Sequence, residues 1–253
     1  MDRWEGKVAV VTGASSGIGK SIATELVERG MIVVGLARRM ELVQDLSNSL
    51  TGRKGKLFAV KADVGKEDDV AEAFDWVRKN LGGVHVLVNN AGIGTYSLLS
   101  NMDREEYKRV QACLNTNVMG VVMCSNEAIK LMREKGIVDG HIININSVLG
   151  HFISRRLGIH FYNATKHAVT VLTEGLRREL VEAKSKIRVT SISPGFVLTN
   201  IMDGIEVPNR NEIMANSPIL RTDDVTNSVI HSLAAPADVQ IAEIIVRPVG
   251  EEA

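Results

Sequence analysis

Seven short runs of β-branched and other apolar residues recur along this chain, each separated from the next by a stretch long enough for a helix. They are Val8–Thr12, Ile32–Leu36, Leu57–Lys61, Val84–Val88, His141–Asn146, Ile187–Ser193 and Glu243–Val246. Their near-continuous apolar character fits strands covered on both faces by helices. Strands alternating with helices at this spacing form βαβ units in a parallel sheet. Helices are expected over Gly17–Arg29, Arg39–Leu50, Lys66–Asn80, Arg104–Lys135 and Phe161–Lys184. Asn and Gly are poor helix-interior residues, so Asn115–Gly120 predicts a break or local distortion inside the fourth of these. The expected fold class is α/β, a doubly wound domain with a parallel seven-stranded sheet and helices on both faces. No long linker or internal repeat divides the chain, so one domain over residues 1–253 suffices.

Composition narrows the function. Thirty basic residues cancel thirty acidic ones, which leaves no electrostatic reason to expect nucleic-acid binding. The N-terminal residues lack a signal-peptide core, and no segment offers the ~20 apolar residues of a membrane span. Cys113 and Cys124 fall in one helical region, roughly 16 Å apart on a continuous helix, too far for a disulfide. A soluble, reducing compartment follows, with a cytoplasmic location as the expectation. Six scattered histidines form no convincing ligand set, so no metal is expected.

Lys7–Val11 leads into Thr12-Gly13-Ala14-Ser15-Ser16-Gly17-Ile18-Gly19, followed by a helix. Strand, glycine-rich turn and helix N-terminus together place amide donors and a positive dipole end beside a phosphate. The turn-only reading of three glycines weakens in that strand-turn-helix context.

The GxxxGxG spacing resembles the turn of the short-chain dehydrogenase/reductase superfamily. Asn89-Asn90-Ala91-Gly92, Tyr162-Asn163-Ala164-Thr165-Lys166 and Pro194-Gly195 match further motifs of that superfamily, in family order, over nearly the whole chain. The resemblance implies a Rossmann-like fold and an oxidoreductase interconverting an alcohol and a carbonyl. Its cofactor residues map here onto Gly13, Ser15, Ser16, Gly17, Ile18, Gly19, Asp63, Val64, Asn90, Ala91, Gly92, Tyr162, Lys166, Pro194, Gly195, Val197 and Thr199. An acid after the second strand would bond the ribose 2′-hydroxyl of NAD and repel a 2′-phosphate. This chain has Ala37-Arg38-Arg39 there, so Arg38, and secondarily Arg39, are expected to grip the phosphate of NADP(H). The bland alternative is two solvated charges at a helix start.

Tyr162 and Lys166, four residues apart at the start of a helical stretch, can share one face. A Tyr hydroxyl titrating near 10 reaches neutrality if the phenolate gains about 4 kcal/mol. An ammonium about 4 Å away supplies a comparable amount at an effective dielectric near 20. Ser147 lies at the rim just beyond its strand, where its hydroxyl could bond the substrate oxygen; a local backbone bond is the structural alternative. Asn117 matches the fourth catalytic position of the superfamily, with Asn115 its nearby competitor. The Ser147–Tyr162 interval is about two residues longer than the commonest family arrangement. The extra length is expected to loop out within Gly150–Phe161, beside Arg155 and Arg156.

Residues 196–218 form the expected substrate-loop region, with Met202, Ile205, Val207, Ile213 and Met214 making it partly apolar. The stretches Met1–Trp4, Asp139–Ser147 and Arg188–Gly195 resemble insect NADP-dependent farnesol dehydrogenases and related vertebrate hydroxysteroid dehydrogenase/reductases. That branch implies a small lipophilic alcohol or carbonyl, isoprenoid or steroid. A broad carbonyl or 3-oxoacyl thioester reductase on the same scaffold, or a non-catalytic NADP(H)-binding protein, are the competing readings. The family further implies a homodimer or homotetramer; Ile241–Val249 could join such an interface or complete the sheet edge within one subunit.

Overall fold

In a computed structural model that describes residues 1–202 and 217–251, every apolar run becomes a strand. These are β1 (Val8–Thr12), β2 (Ile32–Ala37), β3 (Lys56–Lys61), β4 (Val86–Asn89), β5 (His141–Ile145), β6 (Arg188–Pro194) and β7 (Glu243–Val246). They form one sheet in the order β3-β2-β1-β4-β5-β6-β7, with every pairing parallel. β4 starts two residues later than expected, and β7 lies at the sheet edge.

Both faces are covered, as the continuous apolar runs require. Ala9 and Val11 point into a core with Ile22, Leu26, Val43, Val225 and Leu233. Val8 and Val10 point the other way, into a core with Phe74, Val77, Leu131, Met132 and Leu180. The first core is closed by α1 (Gly17–Glu28), α2 (Met40–Ser49) and α7 (Thr222–Ala234), the second by α3 (Glu67–Leu81), α5 (Gly120–Glu134) and α6 (His160–Glu182). Helix α7 has no counterpart in the sequence reading. Its signal is a stripe, Val225, Val229, Ile230 and Leu233, all buried, behind a first turn holding Asp223 and Asp224. Trp4 anchors it by donating its indole N–H to the Leu233 carbonyl at 2.8 Å.

The distortion expected at Asn115–Gly120 is real. Helix α4 (Arg104–Leu114) starts at a capping box between Asp103 and Glu106. It passes into a π-helical turn over Asn115–Met119, closed by the Gly120 N–H on the Asn115 carbonyl, before α5 resumes. A Cβ on Gly120 would press against Val64, 3.0 Å from its Cγ2.

At the amino end of β5, His141 is buried and shares a 2.7 Å hydrogen bond through Nε2 with Thr190 Oγ1. Thr190 gives its own proton to the Ile241 carbonyl, so His141 Nε2 is the donor. Burial first, and the charge of Arg3 second, push the imidazole down from 6.5 to about 3. The folded state therefore resists a proton that the unfolded chain takes up readily. Stability is held above the ordinary histidine range and lost as pH falls from about 6.5 towards 3. His141→Gln, which keeps a donor for Thr190, should remove this contribution. Between pH 7 and pH 4.5, urea unfolding of the native protein is expected to lose about 2 kcal/mol more than that of the variant. Equal losses would assign the acid sensitivity elsewhere.

Candidate active site

β1 pairs with β2 on one side and β4 on the other, so the chain reverses its winding direction between β1 and β4. Loops diverging at the carboxyl ends of those strands leave a crevice, the usual ligand site of such sheets. Thr12, the last residue of β1, ties the two loops together. Its Oγ1 accepts the N–H groups of Asn90 and Ala91 at 3.0 and 2.9 Å. Asn90 Nδ2 returns a hydrogen bond to the Thr12 carbonyl at 2.9 Å. Gly13 has φ +68°, and a Cβ there would lie 2.9 Å from Ala91 Cα. A Cβ on Gly19 would run into the Gly13 carbonyl and the Asn90 amide. The turn is thus bare backbone packed on backbone.

The first turn of α1 carries no acid, and Ser16 at its N-cap makes no side-chain cap bond. This donor set fits an anion: Gly17, Ile18 and Gly19 present backbone at a positive helix end. Arg38 and Arg39, just past β2, are exposed. Arg39 Nη2 reaches Ser16 Oγ at 3.4 Å and Ser15 Oγ at 3.5 Å. Arg39 thus touches the turn directly, whereas the sequence reading gave Arg38 the leading place.

Beyond β3, Asp63 Oδ1 accepts the Gly65 N–H at 3.0 Å, and the Asp63 N–H donates to Asp69 Oδ2 at 2.8 Å. Val64 is buried against the π turn. Within that turn Asn117, 1% exposed, spends its whole side chain on neighbouring elements. Oδ1 accepts the Ile93 N–H at 2.9 Å, and Nδ2 donates to the Ile93 carbonyl at 3.0 Å and to Thr165 Oγ1 at 3.1 Å. Gly92 packs beside it. Asn115, the competitor, accepts from Gln111 on the exposed side.

Ser147, Tyr162 and Lys166 come together. Ser147 Oγ accepts the Leu149 N–H at 3.1 Å and starts a short 3-10 turn, so its own proton is available elsewhere. Tyr162 and Lys166 lie one turn apart on α6, with Lys166 Nζ 5.7 Å from the Tyr162 ring centroid. Lys166 is buried and donates to the Ile145 carbonyl at 2.9 Å. Burial pushes its ammonium down to about 8. Burial also pushes the Tyr162 phenol up, helped by the nearby Cys113, while a hydrogen bond with Ser147 draws it down. Desolvation thus opposes the lowering expected from the Lys166 ammonium. Cys113, pushed up to about 11 chiefly by burial, is a thiol.

Pro194 ends β6, and Gly195 donates its N–H to the Val246 carbonyl at 2.7 Å. Val197 bridges to Leu220. The Thr199 methyl lies 3.4 Å from where a Gly17 Cβ would stand, so this strap reaches back to the glycine-rich turn. Leu98 and Leu99, Ile153 and Leu157, and Leu198 are exposed on the loops after β4, β5 and β6. Those loops are joined by Ser97 N–H to the Gly158 carbonyl at 2.8 Å and Gly94 N–H to the Ile201 carbonyl at 3.2 Å. The loop expected within Gly150–Phe161 is present, with Arg155 and Arg156 exposed on it. It is pinned by Asn163 Nδ2, which donates to the Leu149 and Phe152 carbonyls, each at 2.8 Å. Ile205, Val207, Ile213, Met214 and the Met202 side chain lie outside the described residues. Thr12 is the site residue the sequence reading did not single out; its hydroxyl role follows only once β4 is known to lie beside β1.

This arrangement defines a dinucleotide-linked oxidoreductase of the Rossmann type. A family model described as short chain dehydrogenase matches residues 7–209. A farnesol dehydrogenase from Aedes aegypti is 48% identical over 253 residues, covering 100% of both chains. A protein from Gallus gallus named dehydrogenase/reductase SDR family member 11 is 42% identical, covering 98% of each. Among solved structures, an alcohol dehydrogenase from Thermococcus sibiricus complexed with 5-hydroxy-NADP has a TM-score of 0.82 at 25% identity, covering 98% of each chain. A short-chain dehydrogenase/reductase from Burkholderia phymatum in complex with NAD has a TM-score of 0.82 at 28% identity, covering 97% of this chain and 90% of that one. The chain belongs to the short-chain dehydrogenase/reductase family, and it is an oxidoreductase. Among the described residues, no helix is long and apolar enough to cross a membrane.

Thr12→Val keeps the shape of the β1 terminus but removes the acceptor for two loop N–H groups. It should destabilise the protein by about 2 kcal/mol while circular dichroism shows native helix content. An unchanged urea midpoint would show that the two loops hold together without the hydroxyl.

Proposed function

We propose that this enzyme interconverts a lipophilic alcohol and its carbonyl with NADP(H). The observation that carries the reading is the pairing of half-buried Tyr162 with buried Lys166 beside Ser147, at the same sheet edge as an acid-free glycine-rich turn. Gly13 to Gly19, Asp63, Val64 and Asn90 to Gly92 would hold the dinucleotide, with Lys166 at the nicotinamide ribose and Pro194 to Thr199 as a strap. Arg38 and Arg39 supply positive charge where an NAD-specific site needs an acid, and Arg39 already lies against Ser15 and Ser16. Bound NADPH would supply the hydride.

The side chains handle the proton. Ser147 donates its proton to the substrate oxygen and orients it. Tyr162, held as a neutral phenol by burial, gives its proton to that oxygen as general acid. Lys166, anchored on the Ile145 carbonyl, faces the phenolate left behind and stabilises its charge. Asn117 holds Thr165, the residue before Lys166, against the loop after β4. Oxidation runs the same steps backwards.

The exposed leucines and isoleucine around the crevice support a lipophilic substrate, since apolar side chains on three joined loops can be covered by one apolar ligand. The similarity to a farnesol dehydrogenase favours an isoprenoid alcohol, and a steroid is the second choice. A single domain over residues 1–253, a cytoplasmic location and a homodimer or homotetramer complete the reading.

A panel of farnesol, hydroxysteroids, small diketones and 3-oxoacyl thioesters tests it, assayed with NADP(H) and NAD(H) on the native protein and on Tyr162→Phe. Turnover is expected on the first two classes, falling at least 1000-fold in the variant while NADPH binding persists. Near-normal turnover by Tyr162→Phe would remove the proton-transfer role, and activity confined to thioesters would remove the lipophilic-alcohol reading. Separately, Arg38→Asp should lower the ratio of kcat/KM for NADPH over NADH at least tenfold. An unchanged ratio there, together with a fall in Arg39→Asp, would hand the phosphate to Arg39.

A further inference from the structure

Near the C-terminus lies a carboxylate that the proposed mechanism does not use. The segment leaving β6 is fastened on both sides. Gly195 N–H is held by the Val246 carbonyl, Phe196 N–H donates to Glu251 Oε1 at 2.8 Å, and the Phe196 carbonyl accepts the Leu220 N–H at 2.8 Å. The Glu251 side chain is only 15% exposed. Its Oε2 is buried, with no hydrogen-bond partner among the described residues and Arg247 Nε 3.6 Å away. A Cβ on Gly195 would run into that oxygen. The absence of a side chain at Gly195 is therefore what lets the carboxylate lie flat against the turn. Arg247 in turn lies 5.1 Å over the Phe152 ring, in the loop that follows Ser147. One C-terminal turn thus holds the start of the Gly195–Thr199 strap and touches the loop beyond the catalytic serine.

We propose that Glu251 is a positioning residue for the dinucleotide, acting through the backbone of Phe196. It fixes the direction in which the chain leaves β6. Three residues further on, Thr199 meets Gly17 of the glycine-rich turn, so the direction set at Phe196 fixes how closely the strap approaches the phosphate end. The second carboxylate oxygen faces Arg247 Nε at 3.6 Å, an ion pair that holds the carboxylate from its other side while Oε1 takes the Phe196 N–H. This inference rests on the NADP(H) reading above.

The test is a titration of NADPH, followed by nucleotide fluorescence, on the native protein, Glu251→Ala, Glu251→Gln and Gly195→Ala. Glu251→Ala is expected to raise the dissociation constant about tenfold. Glu251→Gln retains an oxygen acceptor for Phe196 and should stay within about twofold of native, a rescue that loss of general stability would not produce. Gly195→Ala displaces the carboxylate and should match Glu251→Ala, with the double variant no worse than either. If Glu251→Ala does not fold, Gly195→Ala and Glu251→Gln still discriminate. Native binding with an unchanged constant in Glu251→Ala or Gly195→Ala, or an equal loss in Glu251→Gln, overturns the clamp alone. A native protein that binds neither NADPH nor NADH overturns the underlying cofactor reading and the clamp with it.

Discussion

One hydroxyl, Thr12 Oγ1, receives two backbone N–H groups from the loop after β4, and the crevice takes its shape from that fact. At a reversal in strand order, the loops of adjacent strands turn away from each other and nothing in the sheet ladder holds them together. Thr12 supplies the hold from the last strand position, and Asn90 answers it through the Thr12 carbonyl. The glycine-rich turn then settles on Asn90 and Ala91 so closely that Gly13 and Gly19 have no room for a side chain. The free amides of α1 are therefore placed by packing between two loops rather than by the turn alone.

The same logic repeats one layer further in. Asn117 joins the loop after β4 to Thr165, and the residue after Thr165 is Lys166. Below it a line of amides and hydroxyls crosses the buried face of the sheet. Asn89 donates to Ser125 and to Asn144, and Asn144 donates to Thr173 of α6. Polar groups buried so deeply are costly unless paired in a single geometry. Pairing their amide donors fixes the depth and rotation of α6 against β4 and β5. The π turn belongs to this arrangement: the extra residue it accommodates turns Asn117 inward, and Gly120 relieves the contact with Val64 that follows.

The strands were legible because their pattern is local, and so was the interrupted helix, because Asn115, Asn117 and Gly120 resist a regular α-helix wherever they stand. Helix α7 was not read, although its apolar stripe is clear in hindsight; its polar first turn follows residues without periodicity, and Trp4, which it meets, lies 229 residues away in sequence. Tyr162 and Lys166 could be paired from spacing, since i and i+4 share a helix face. The sign of the Tyr162 shift could not, because it depends on how much water the neighbouring loops exclude. Thr12 and Glu251 escaped for a related reason. Each acts on a segment that is distant in sequence, and nothing near either residue distinguishes it from an ordinary strand-end hydroxyl or tail carboxylate.

Burial acts on Tyr162 and Lys166 in opposite directions and with one chemical consequence. It raises the phenol and lowers the ammonium to about 8, in each case favouring the neutral form. Near neutral pH the pair is then a phenol beside a lysine that is still largely charged, which is the state required to donate a proton to a developing alkoxide. Withdrawing a proton from an alcohol demands the reverse. A phenolate must form where water is excluded, at more than the ~4 kcal/mol that separates an ordinary tyrosine from neutrality. Burial works against that phenolate, and a second positive charge at the site would work for it. An oxidised nicotinamide is positively charged and a reduced one is not. On the proposed mechanism the redox state of the dinucleotide would thus bear on the protonation of Tyr162, whose neutral form suits the reductive direction.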